Sequence, residues 1–164
     1  MTFDNSKTII SLRIKLFIAT VLFLAFIILT YVAKKINFPL LGMSDTVWTV
    51  ILASCYVILV FFPMYLNYQY VYFSDDGENI IFRYFNAGIT GGKKNSVEIN
   101  KKAFSGYKVE KKLFGLSQSI ILFTQLRQGI AKYPPIHISA LTKEERKKVI
   151  SILNTYAPRI KDES

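Results

Sequence analysis

The sequence predicts a membrane α-helical hairpin that carries a β-rich domain closed by a C-terminal helix. Three observations carry this: two long uncharged runs near the N-terminus, a change to two-residue periodicity after residue 68, and a capped amphipathic segment near the end. Composition agrees. The 164 residues are 51% hydrophobic, yet carry 21 Lys+Arg against 11 Asp+Glu, a formal net charge of +10. Residues 16–33 and 46–74 hold no charge, while 16 of the 21 basic residues lie beyond Ser74. A chain folding in one solvent would mix these features; this one is built for two.

A helix needs about 20 apolar residues to cross a hydrocarbon core. The first run, LFIATVLFLAFIILTYVA, has 18 uncharged residues, and Ile14 with a snorkelling Lys15 extends it, giving a helix at 14–33. A cleaved signal peptide is the rival reading. The apolar core exceeds the usual ~7–15 residues, and Lys34 and Lys35 follow where small residues would mark cleavage. The second run has 29 uncharged residues. Trp48 and the cluster Tyr65, Tyr68, Tyr70 and Tyr72 mark its interfaces, which places a helix at 46–67 with Pro63 in its last turns. A buried core helix rarely runs so long without charge.

Residues 34–45, with Pro39 and Gly42, form a short loop, so the helices make an antiparallel hairpin within an N-terminal region spanning 1–67. Lys7, Arg13 and Lys15 flank the first helix, against Lys34 and Lys35 in the loop. This modest bias predicts a multi-pass protein with both termini in the cytoplasm.

The domain spans 68–158, followed by a tail at 159–164. Residues 69–74 and 79–85 alternate as strands around Asp75, Asp76, Gly77 and Glu78, a hairpin turn signal. Further strands are expected at 96–100, 103–111, 118–126, 130–133 and 136–139. Gly91-Gly92, Phe114-Gly115 and Gln128-Gly129 mark the turns between them. In the last strand Ile136 and Ile138 point inward and His137 outward. Thr142 and Glu145 have capping-box spacing, and Val149, Ile152, Leu153 and Tyr156 form one apolar stripe, so a helix spans 142–156. Seven antiparallel strands and this helix outline a partly open barrel or two packed sheets.

The segments YVYFSDDGENIIFRYF, EINKKAFSGYKVEKK and IHISALTKEERKKVISIL, following two spans, resemble bacterial membrane proteins with a pleckstrin-homology-like domain. The resemblance covers residues 10–157. It implies a PH-like seven-stranded fold and a bacterial inner (plasma) membrane location, and it implies no activity. Phosphoinositide-binding members of the wider fold have a basic loop between their first two strands. Here that loop holds Asp75, Asp76 and Glu78, which would repel phosphate.

Catalytic constellations are missing from the pattern. AGITGGKK at 87–94 has Ala87 and Lys94 where a phosphate-binding loop needs glycine and a hydroxyl. His137 is the sole histidine, so neither a multi-histidine metal site nor a triad away from this residue is possible. Cys55 is the sole cysteine and lies mid-span, which excludes an intramolecular disulfide. Apart from tyrosines and Cys55 neither span holds an ionisable group, which argues against a proton path. No cofactor or metal is expected. The remaining signal is basic: Lys93 and Lys94, Lys101 and Lys102, Lys108, Lys111 and Lys112, then Lys143, Arg146, Lys147 and Lys148. A solvated face is the plain reading of any one cluster. The sharper one is contact with anionic headgroups or a partner by Lys93, Lys94, Lys111 and Lys112, at about 1 kcal/mol for each basic residue close to the surface. Nucleic acid is not an expected partner, because few aromatics interleave with the lysines.

The expected function is thus a non-enzymatic, membrane-tethered binding or scaffolding module whose basic domain contacts a protein partner or the anionic leaflet. The alternative is an accessory subunit of a transport or envelope-assembly complex, with the hairpin packed on partner helices through residues such as Ala19, Thr20, Ala25, Ala53 and Ser54.

Overall fold

The structure, a computed structural model, describes residues 1–32, 44–87 and 92–160. These residues form two compact units, one of Ile10–Tyr65 and one of Met1–Ile9 with Leu66–Ser164. Most of the expected 34–45 loop lies outside the described residues.

The helical unit contains α1 (Ser6–Ile27), which continues as a π-helical turn at Ile28–Val32, and α2 (Asp45–Tyr65). Both helices are long and apolar enough to cross a membrane. Helix α1 begins eight residues before the expected residue 14. Charge keeps Lys7 and Arg13 out of hydrocarbon but not out of a helix, where both are good formers. The Asp4 carboxylate also accepts from the Ser6 backbone N–H at 2.9 Å, satisfying one donor of the open first turn. Helix α2 starts one residue early and stops two early.

Thr20 Oγ1 and Tyr56 OH lie 2.9 Å apart, Tyr31 OH and Thr49 Oγ1 2.7 Å apart, and Phe23 stacks on Tyr56 at 4.9 Å. Residue numbers rise along α1 as their partners fall along α2, so the helices pair antiparallel. Their outward faces stay bare: Phe17, Leu22, Ile58 and Phe61 are each more than half exposed. A soluble core helix would have buried these side chains, each worth roughly 1.5–3 kcal/mol.

The second unit holds two antiparallel sheets, neither closed. The first has the order β1 (Thr2–Asp4), β2 (Gln69–Ser74), β3 (Asn79–Asn86), β4 (Asn95–Asn100). The second pairs β5 (Phe104–Lys112) with β6 (Ser117–Leu126), and β6 in turn with β7 (Gly129–Lys132) and β8 (Ile136–His137). β7 and β8 share one edge of β6, separated where Pro134 and Pro135 can donate no ladder bond. Strand β1 was not expected. It raises the count among the described residues to eight, with four strands in each sheet.

Alternation builds the core between the sheets. Val71, Phe73, Ile80, Phe82, Tyr107, Ile120, Leu122 and Ile136 are buried, and α3 (Lys143–Tyr156) adds Val149 and Leu153. Thr142 caps α3 in a full capping box with Glu145, as its spacing predicts. Ile152 and Tyr156, the rest of the apolar stripe, pack on the same core partly buried. After Pro158 the chain returns to β5, where the Ile160 N–H donates to the Tyr107 carbonyl at 2.9 Å. The approach needs Gly106: a Cβ there would sit 3.0 Å from the Pro158 carbonyl oxygen, at a bulge in β5.

Candidate functional site: the basic end of the domain

Residues 9 and 66 mark where the chain leaves the β unit, and the end of the unit that holds them is built on two amides. Asn5 is 1% exposed and continues β1 with its side chain. Its Nδ2 donates to the Gln69 carbonyl at 3.0 Å, and its Oδ1 accepts from the Val71 N–H at 2.8 Å. Gln69, also buried, joins the two sheets. Its Nε2 donates to Asn86 Oδ1 on β3, and its Oε1 accepts from the His137 N–H on β8, both at 2.9 Å. Beside them Ile9, Ala87 and Ala140 form a small core of their own, with Tyr68 and Tyr70 against it.

Both expected lysine pairs fall at this end. Lys93 and Lys94 follow Gly92, which lies so close to Asn86 that a Cβ would come within 2.9 Å of its side chain. Asn86 is itself the register partner of Gln69. Lys111 and Lys112 close β5 opposite Gln118 and Ser117, and Gln118 is bonded to Ser139 between β8 and α3. All four lysines are exposed. Lys112 is near enough to His137 to lower its pKa, after the larger effect of ring burial. Of the 87–94 stretch, residues 88–91 lie outside the described residues.

The other basic clusters are dispersed. Lys101 is at the far end, donating to the carbonyls of Asp75 and Gly77 at 2.6 and 2.8 Å and covering the Tyr156 ring. Lys108 pairs with Glu110 at 3.8 Å. Arg146, bound to the carbonyls of Leu141 and Ser139 beside Ala140, shares the basic end. The acidic turn is at that far end too. Asp76 accepts from Thr2, while the Asp75 carboxylate accepts from Tyr156.

A groove of about 600 Å³ lies on the outer face of the first sheet. Tyr70 and Tyr72 line it from β2, Arg83 and Phe85 from β3, and Lys94 and Ser96 from the approach to β4 and its start. Tyr70 stacks on Phe85 at 4.7 Å, and the Arg83 guanidinium stands 5.9 Å from the Tyr72 ring centre. Arg83 meets Glu98 only at 3.9 Å, with both side chains about half exposed, so its charge is weakly compensated. At the edge, hydrogen bonds from Ser6 and then from Tyr70 hold Asp4 below the usual carboxylate range. Burial and then Asp4 raise the Tyr70 phenol. Tyr70 and Tyr72, expected in a strand and at a membrane interface, stand on this sheet face. The same alternation that buries Val71, Phe73 and Phe82 turns Tyr70, Tyr72, Arg83 and Phe85 outward, so the face was readable from the strand pattern.

Chemically, the end offers exposed cations and planar rings. Among the described residues no three His, Cys, Asp or Glu side chains gather where a metal could be held. Compared with known proteins, the chain matches no family model, no curated protein and no solved structure.

Proposed function

We propose that this chain is a membrane-tethered, non-enzymatic binding module whose β domain meets the anionic leaflet through the end bearing Lys93, Lys94, Lys111 and Lys112. One observation carries the reading: these four lysines lie at the same end as Asn5, Ile9 and Gln69, where the chain departs toward two helices long enough to span a membrane. Four such residues near an anionic surface contribute on the order of 4 kcal/mol at low salt. Arg83 and Lys94, beside stacked aromatics, suit a phosphate carried on an apolar molecule. Two open antiparallel sheets with a terminal helix are compatible with a PH-like domain. The acidic far turn is tied to β1 and α3, which sets leaflet contact away from the usual phosphoinositide loop.

Because β1 pairs with β2, a hairpin that crosses twice returns the domain to the side of residue 1. The basic end then favours the cytoplasmic face of a bacterial plasma membrane. Cysteine labelling in intact cells, reaching position 40 and sparing position 162, is the expected pattern.

Leaflet contact is tested by amine labelling of the full chain in nanodiscs. Lys93, Lys94, Lys111 and Lys112 should be protected in anionic discs at low salt. Protection should fade in neutral discs, and also near 1 M salt, where the Debye length falls to about 3 Å. Equal labelling in both lipids overturns the reading and points to a protein partner, as for an accessory subunit.

A further inference from the structure

The turn joining β5 to β6 differs from the polar β2–β3 and β6–β7 turns. Its residues are Leu113, Phe114, Gly115 and Leu116, directly after Lys111 and Lys112. Phe114 is wholly exposed at 110%, Leu116 is 58% exposed and Leu113 38%. Leaving such side chains in water forfeits roughly 1.5–3 kcal/mol for each full burial. The turn is held in place rather than loose. The Leu116 N–H donates to the Leu113 carbonyl at 3.1 Å, and Gln118 Nε2 donates to the Gly115 carbonyl at 3.0 Å. Leu113 and Phe114 both adopt left-handed backbone angles, φ 53° and 54°, a conformation that L residues with bulky side chains rarely take. A strained backbone thus presents an apolar ring to the outside.

Its position is set by the strand register. Ser119 pairs with His137, whose N–H is bound to Gln69, so Ser119 lies at the end where the chain leaves the unit. The hairpin then runs two more residue pairs, to Lys112 opposite Ser117, before turning. At ~3.4 Å per residue these two pairs put about 7 Å of strand between Ser119 and the apolar turn.

We propose that residues 113–116 form an interfacial membrane anchor. Phe114, with Leu113 and Leu116, enters the headgroup–acyl boundary of the bilayer that holds the two helices, while Lys111 and Lys112 meet lipid phosphates. A lipid surface is the occupant whose chemistry fits both halves, an apolar layer behind an anionic one. The inference rests on the membrane-tethered reading and names the device by which the domain would sit on the leaflet.

The test places the only tryptophan at the tip of the full chain, as Trp48→Phe with Phe114→Trp, reconstituted in neutral and anionic vesicles. Phe114 packs on nothing that a larger ring would disturb. Gln128→Trp on the same Trp48→Phe background gives an exposed reference in the β6–β7 turn. The expected result is blue-shifted emission at 114, quenched by lipids brominated in the acyl chain and shielded from aqueous iodide. Position 128 should show the opposite. Iodide quenching at 114 equal to that at 128 in both vesicles overturns the anchor. So does shielding from iodide without lipid quenching, which means that protein covers the tip. Lysine protection that persists in anionic discs without insertion removes the anchor and leaves leaflet contact standing; loss of both removes the two together.

Discussion

Asn5→Ala is the substitution that reports most directly on how the β unit is tied together. It removes two hydrogen bonds and leaves the Gln69 carbonyl and the Val71 N–H without their side-chain partner, at positions 8% and 0% exposed. A typical hydrogen bond contributes about 1 kcal/mol net, and a buried group left unsatisfied costs about 1–3 kcal/mol, so the local loss should be about 2–4 kcal/mol. Hydrogen exchange on the full chain in nanodiscs reads this at one amide. Protection at Val71 should fall by between about 30-fold and several-hundred-fold, at about 1.4 kcal/mol per tenfold change. Asn5→Asp should act in the same direction, because a carboxylate cannot donate to Gln69 and carries charge into a buried site. Thr2→Val, at the exposed start of β1, should change protection at Val71 little. Protection at Val71 unchanged in Asn5→Ala would refute the claim that this amide holds β1 and β2 together.

Two further outcomes follow from the core and from His137. Leu153→Asp puts an unpaired charge at a site 0% exposed, so it should unfold the β unit by several kcal/mol in a thermal melt, whereas exposed Lys148→Asp should stay within about 0.5 kcal/mol; equal melts would rule out α3 as part of the core. The pKa of His137 is lowered from 6.5 by burial and then by Lys112, so the unfolded chain binds more protons between the lowered value and 6.5. Stability is therefore full above about pH 6.5 and falls as pH drops toward the folded pKa. His137→Gln should flatten that part of the profile; an unchanged slope would exclude His137 as its source.

Features with a local signal were legible in the sequence. Asp76-Gly77 between alternating runs gave the β2–β3 hairpin, with β2 at its expected bounds, and the Thr142–Glu145 spacing gave α3 its start. Lys93, Lys94, Lys111 and Lys112 were picked out as two pairs, but strand register was needed to bring both to one end. Strand β1 was not legible. Three residues show no period, and their partners Tyr72, Phe73 and Ser74 lie beyond two apolar helices. Gln69 read as an ordinary first strand residue, because bonds to Asn86 and His137 come from packing and leave no trace in spacing. The start of α1 was placed late because hydropathy measures what lipid accepts, not where a helix begins.

The pairing of β1 with β2 also carries a cost in chain closure. Asn5 and Val71 are 66 residues apart in the chain. At ~5–20 residues per second of synthesis, β1 waits about 3–13 s for its partner, and both apolar helices are made in that interval. Closing a flexible loop of this length costs on the order of 4 kcal/mol in chain entropy, more than three short residue pairs readily return. Antiparallel pairing of α1 with α2 orders part of that loop and lowers this cost. Without β1, β2 presents an unprotected sheet edge, open to pairing with another chain.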